Sequence, residues 1–307
     1  MRLQCAVAFV LLAGAGGALG ACDTRARDAG NAVADTLRVR DHADRMVQLA
    51  APAQRVVCLM PAVTDMLLAI GAQDRLIART QWDTDARIAH LPSTGNALMP
   101  SVEWVAAQNP DLVIAWPDQP TRSVVGRLSA MGIPVYNAIT ETIEDAVRTA
   151  RDLGVLLAMQ SAADSVVRSI EADLQAIRTS VQSNARVPVA YVLSLDPPMI
   201  AGPGTFIGQL IDVAGGENVF SDLRVNWPQV SLEELVRRDP QAIVIAQEQG
   251  GDNARDRMRT LPGWRELGAV RNGRVLVADV SLFNRAGPNL PLAARALARF
   301  LHPGARP

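Results

Sequence analysis

Ser101-Val-Glu103-Trp-Val-Ala-Ala-Gln-Asn-Pro110-Asp-Leu-Val-Ile-Ala115 returns as Ser231-Leu-Glu233-Glu-Leu-Val-Arg-Arg-Asp-Pro240-Gln-Ala-Ile-Val-Ile245. An offset of 130 residues separates Ser101 from Ser231 and holds through the stretch. Serine, glutamate and proline recur in register, as do the apolar positions between them. Each copy reads as a short helix, a proline stop and one buried strand. A chain that builds one unit twice predicts two similar lobes. Facing lobes enclose a cleft, and a cleft implies a ligand.

Outward from the repeat, short apolar runs alternate with helical patterns. Strands are predicted at Arg55–Met60, Leu76–Ala78, Leu112–Trp116 and Pro134–Asn137, with helices at Ala62–Ile70 and Thr121–Met131. Thr36–Arg40 and Arg45–Leu49 flank Asp41-His-Ala-Asp44 as a β-hairpin. Glu144–Leu157 and Ser161–Ser183 are helical stretches, the second without glycine or proline. Ser161 with Asp164 resembles an N-terminal capping arrangement. At 1.5 Å per residue the second helix is about 35 Å long, enough to run from one lobe to the other. Alternation then resumes with Val187–Leu195, Phe206–Ala214, Arg274–Asp279 and Leu290–Leu301. Strand–helix alternation predicts mostly parallel sheets covered by helices.

The division expected is 1–21 signal segment, 22–34 tether, 35–138 first lobe, 139–184 helical segment and 185–307 second lobe. Arg2 followed by the apolar run Ala6–Leu19 is too short and glycine-rich for a membrane span. Its end, Leu19-Gly-Ala-Cys22, resembles the bacterial lipobox. That motif places a lipid anchor on Cys22, and several acyl chains together anchor stably. An ordinary cleaved signal is the alternative. Either way Cys58 is the one cysteine left in the folded part, so no disulfide framework exists, and its apolar surroundings read as core.

A net charge of −1 leaves no basic field for nucleic acid. His42, His90 and His302 fall in a turn, a loop and the tail and share no metal-ligand spacing, so no metal or cofactor is expected. No nucleophile elbow, Walker loop or zinc-protease motif occurs. Gly202-Pro-Gly-Thr205 reads as a turn with a threonine cap, and anion binding at the following helix is the alternative.

Aromatic residues make up only 4% of the chain, so three tryptophans at strand ends and loops stand out. Trp116 ends the first repeat's strand, where open α/β sheets bind ligands. Packing against a neighbouring helix explains it equally well. Trp82 follows a short strand, and Trp227 lies in the loop Asn226-Trp-Pro-Gln-Val-Ser231. Trp104 and Trp264 read as core. Glu103 and Glu233 each sit in a first helical turn, where a carboxylate favours the helix dipole. Their equivalence across two lobes also suits a symmetric partner with two basic pockets.

These stretches carry a family resemblance. From about Gln54 to Leu301 the chain resembles the periplasmic binding proteins of ABC importers for cobalamin, haem and iron siderophores. The matching segments are Val102–Ala115, Ala214-Gly-Gly-Glu-Asn-Val-Phe220 and Trp227-Pro-Gln-Val-Ser-Leu-Glu233. Ile114-Ala-Trp116, Trp227–Ser231 and Phe283-Asn-Arg-Ala286 are most similar to the cobalamin-binding members. The resemblance implies an α/β fold of two Rossmann-like lobes with mostly parallel sheets joined by a single long helix, the class III periplasmic binding protein fold. It implies a non-enzymatic, monomeric protein that captures a corrinoid and delivers it to a permease and ATPase complex in the inner membrane. It implies a ligand site at Trp82, Ala97, Trp116, Trp227, Asn226, Phe283 and Arg285, and permease docking through Glu103 and Glu233. It departs from the cobalamin binders at Ala97, where they carry an aromatic. Haem-binding relatives often carry a tyrosine where Asn96 stands here. A haem or ferric-siderophore binder on the same fold is the first alternative, and a surface-anchored hydrolase the second. The expected location is the periplasmic or cell-surface face of the cytoplasmic membrane.

Overall fold

The computed structural model describes residues 36–117, 121–247 and 253–304. The expected signal segment, Cys22 and the tether lie outside the described residues. An antiparallel hairpin opens the fold: β1 (Leu37–Arg40) pairs with β2 (Met46–Leu49). The buried Asp41 carboxylate accepts the backbone N–H groups of Ala43 and Arg45, which closes the turn.

The first lobe follows as β3 (Val56–Cys58), α1 (Pro61–Ala69), β4 (Leu76–Ala78), α2 (Val102–Ala107), β5 (Leu112–Ala115), α3 (Arg122–Ala130) and β6 (Val135–Asn137). Its sheet has the order β4-β3-β5-β6, all parallel. The strand order reverses between β3 and β5, with β4 added on one side and β5 on the other, which makes a topological switch point at their carboxyl ends. Two antiparallel-packed helices come next, α4 (Ile143–Leu156) and α5 (Gln160–Val181). The second lobe contains β7 (Val187–Leu195), β8 (Pro198–Ile200), α6 (Phe206–Val213), β9 (Gly216–Asn218), α7 (Leu232–Arg238), β10 (Ala242–Gln247), α8 (Ala254–Thr260), α9 (Gly268–Arg271), β11 (Val275–Asp279), α10 (Val280–Phe283) and α11 (Leu290–Leu301). Its sheet runs β11-β10-β7-β8, with β9 also on β7; only the β7–β8 pair is antiparallel.

The sequence repeat is a structural repeat. Ser101 and Ser231 are the N-caps of α2 and α7, each accepting the N–H three residues on at 3.1 Å. Asn109 and Asp239 stand at matching places before the proline and adopt left-handed backbone, φ 49° and 41°, which Asn and Asp tolerate better than most residues. Both repeat strands are buried on both faces, as parallel sheets require. Leu112 and Ile114 face the core that holds Leu153, Leu156 and Ala163 of the helical pair. The equivalent Ala242 and Val244 face the core that holds Val167, Ile170, Leu174 and Ile177. The same face of each repeat strand therefore packs toward the α4–α5 pair, and this pair spans both cores. Replacing either capping serine by alanine is expected to cost about 1 kcal/mol and about 2–4 °C in melting temperature, measured by thermal unfolding.

One expectation is corrected. Ser161 does not cap α5: the helix begins at Gln160 with Met159 before it and no side-chain cap. A tight turn through Ala158, φ 53°, brings the two helices together so closely that a methyl on Gly154 would meet the Ala163 Cβ at 2.7 Å. Backbone proximity replaces capping at this junction. Trp264 is core, while Trp104 is half-buried against the first lobe. Cys58 is fully buried, and burial pushes its thiol up to about 12, so it is an unreactive core group. No described helix is long and apolar enough to cross a membrane.

Candidate functional site

The carboxyl ends of the first lobe's strands supply one wall of a cavity of about 550 Å³. Pro61 and Ala62 follow β3, Trp82 follows β4, Trp116 follows β5, and Thr140 with Glu141 follows β6. The opposite wall is Phe206 at the start of α6, Trp227 in the loop before α7, and Val280, Ser281, Asn284 and Arg285 beyond β11. All three tryptophans singled out from the sequence thus converge on one space between the lobes. Each is half-buried, with its remaining surface free for a ligand.

Polar contacts fix these walls. Trp227 Nε1 donates to Glu141 Oε2 at 3.0 Å, and Asn226 Nδ2 donates to the same oxygen at 3.3 Å. The Glu141 carbonyl also accepts the Phe206 N–H. One residue of the interlobe segment therefore orients the Trp227 ring and the start of α6. Arg285 crosses from the second lobe to the first. Its Nη1 donates to Asp65 Oδ2 on α1 at 3.0 Å and its Nη2 to the Trp82 carbonyl at 2.6 Å. Burial pushes the Asp65 carboxyl above the usual carboxylate range, and the Arg285 charge opposes that shift. Arg285 is thus a strut between lobes as well as a cavity residue, and it holds the backbone that carries the Trp82 ring.

Three residues expected at the ligand do not line this cavity. Ala97 is fully buried in the first lobe, among Val57, Ala78 and Val102. The missing aromatic therefore leaves a small core residue rather than a bare cleft wall. Phe283 points inward and stacks on Tyr191 with ring centroids 6.5 Å apart. Its chain neighbours Asn284 and Arg285, just past the end of α10, line the cavity instead. Asn226 lies behind Trp227 and supports Glu141.

Glu141 and Asp65 were missed from sequence. Glu141 lies in Thr-Glu-Thr-Ile-Glu, which reads as the solvated start of a helix, and its partner Trp227 is 86 residues away. Asp65 sits in an apolar helix, 220 residues from Arg285. A lone acid on an otherwise apolar face was the available signal. Glu103 and Glu233 both lie on the surface in first helical turns. Glu103 pairs with Arg127, whereas Glu233 takes no ion pair among the described residues. No group of three or more His, Cys, Asp or Glu that could hold a metal occurs among the described residues.

Comparison with known proteins agrees with this geometry. Residues 56–282 match the family model described as periplasmic binding protein. A vitamin B12-binding protein of Salmonella typhimurium is 30% identical over 253 residues, covering 82% of this chain and 91% of the relative. The crystal structure of a periplasmic vitamin B12-binding protein of Vibrio cholerae superposes with a TM-score of 0.70 at 27% identity, covering 81% of this chain and 97% of that one. A periplasmic haem-binding protein of Pseudomonas aeruginosa shares the fold, with a TM-score of 0.74 at 24% identity over 83% of this chain and 95% of its own. The helical pair joining two parallel-sheet lobes is the class III arrangement. With its cleft at the strand ends and this match across most of its length, the chain belongs to the periplasmic binding protein family, as a substrate-binding transport protein and not an enzyme.

Proposed function

We propose that this protein is the substrate-binding component of an ABC importer, capturing a corrinoid between its lobes and delivering it to a membrane permease and its ATPase. The convergence of Trp82, Trp116 and Trp227 from both lobes on one cavity carries this reading. Indole faces cover flat, largely apolar ligands and keep one donor for polar groups. The named relatives point to the same ligand class. A haem reading is less well supported. Among the described lining residues none is His, Tyr, Met or Cys, the side chains that ligate haem iron. Titration of the purified protein with cyanocobalamin, haemin and ferric siderophores, followed by calorimetry, tests the choice. Binding of haemin or a siderophore with no response to any corrinoid would sink it.

Delivery is assigned to Glu103 and Glu233. Both carboxylates are exposed, and each heads a helix that follows a cleft-lining segment, Leu98 or Trp227. Arginines of a two-fold permease would pair with them. The double variant Glu103→Ala/Glu233→Ala is expected to keep ligand affinity within about twofold, since surface charges away from the cavity contribute little. Its ligand-stimulated transport in proteoliposomes is expected to fall at least about tenfold, the loss of two charge-assisted contacts. Normal transport by the double variant, or lost ligand binding, would contradict the assignment. Within the same reading, lipidation at Cys22 tethers a monomer to the periplasmic or cell-surface face of the cytoplasmic membrane. Mass spectrometry of the membrane-extracted protein, which would carry acyl chains at its N-terminus, checks the anchor.

A further inference from the structure

Among the described residues, two ionisable side chains line the cavity, Glu141 and Arg285. The Arg285 guanidinium is matched by Asp65 at 3.0 Å, so it brings no unbalanced positive charge. Glu141 has no cationic partner among the described residues. Its Oε2 accepts from two neutral donors, Trp227 and Asn226, and its Oε1 accepts from no described residue. A carboxylate offers about four lone-pair sites. About half of this acceptor capacity is therefore unused by the protein, on a residue that lines the cavity. Asn284 complements it. Its Oδ1 accepts the Tyr191 hydroxyl at 2.6 Å, which leaves its amide N–H groups as the free part. The cavity thus pairs an open anionic acceptor with an open neutral donor.

We propose that Glu141 is a specificity-determining residue, selecting ligands that present uncharged primary amides and excluding ligands that present carboxylates. The proposal rests on the corrinoid reading and deepens it. A primary amide carries donors for Glu141 and an acceptor for Asn284. A ligand carboxylate carries only acceptors, and near Glu141 it adds like-charge repulsion with no unpaired cation among the described lining residues to relieve it. Corrinoids with intact side-chain amides satisfy both groups, whereas the propionates of haem can accept from Asn284 but offer Glu141 no donor and add a like charge.

The test compares cyanocobalamin with its separated monocarboxylate isomers, each having one side-chain amide hydrolysed, and with haemin. Affinities are measured by calorimetry for the full-length mature protein and for Glu141→Gln. The wild type is expected to bind cyanocobalamin at least about tenfold more tightly than one or more of the monocarboxylates, the scale of one hydrogen bond to a charged group. Glu141→Gln keeps an acceptor for Trp227 and loses the charge. It is expected to weaken cyanocobalamin about tenfold and to narrow its preference over that monocarboxylate to within about threefold. A wild type that binds every monocarboxylate as tightly as cyanocobalamin overturns the proposal without any variant. A folded Glu141→Gln, shown by an unchanged thermal transition, that retains the wild-type preference overturns it as well. Corrinoid binding with either result leaves the functional reading standing. A wild type that binds haemin and no corrinoid overturns both.

Discussion

Replacing Trp227 with alanine is expected to weaken ligand binding about a hundredfold. Covering about 100 Å² of indole at roughly 25 cal/mol per Å² is worth about 2.5 kcal/mol, close to two decades in affinity. The residue is half-buried and sits at the rim of the second lobe's core, so a ligand completes its burial. Its loss also removes the 3.0 Å bond to Glu141 and releases that side chain. Trp227→Phe separates the two contributions, because it keeps an apolar ring and deletes the donor. An intermediate loss of about fivefold to tenfold is expected for it, the scale of one hydrogen bond. Calorimetric titration reads both variants. Unchanged affinity in Trp227→Ala would remove the indole from the ligand site.

Arg285→Ala is expected to destabilise the fold by about 2 kcal/mol at neutral pH, or about 4–8 °C in melting temperature. The strut joins two lobes, and its side chains are only 18% and 19% exposed, so water does little to replace it. Removal leaves the Asp65 carboxylate half-hidden with no counter-charge. The sign of the pH dependence follows. Burial raises the Asp65 pKa in the folded protein, with Asp83 and Asp85 adding in the same direction and Arg285 opposing. A raised carboxyl contributes stability that is present below its unfolded value of about 3.9 and is lost as pH rises through the folded value. Without Arg285 that folded value moves further up, and the loss deepens. The variant's deficit is therefore expected to be small near pH 4 and full at pH 7. Adding Asp65→Asn should recover most of it at pH 7. Thermal unfolding at the two pH values checks this, and an equal deficit at both would refute the charge account.

Much of the fold was legible because it rests on local pattern. Buried parallel strands read as apolar runs, and Leu112–Ala115 and Leu290–Leu301 emerge within a residue of their expected bounds. The short elements β8, β9, α9 and α10, and the seven-residue α8, were not read from the sequence. The cavity was half legible. Rare aromatics at strand ends gave themselves away, whereas Phe283 and Arg285 lie on one short segment and face opposite ways. Only packing decides which of two such neighbours turns inward.

The duplicated serine–glutamate–proline unit determined by itself that there would be two lobes, with capped helices and buried strands in matched positions. Those features depend on interactions within a few residues, and such interactions are written in local order. Tertiary structure alone decided that Glu141 meets Trp227 and that Arg285 meets Asp65. Each of these contacts joins residues far apart in the chain, and their energy exists only once both lobes have folded against α4 and α5. The lobes are thus a property of the repeat, and the charge pattern of the cleft is a property of how the repeats are brought together.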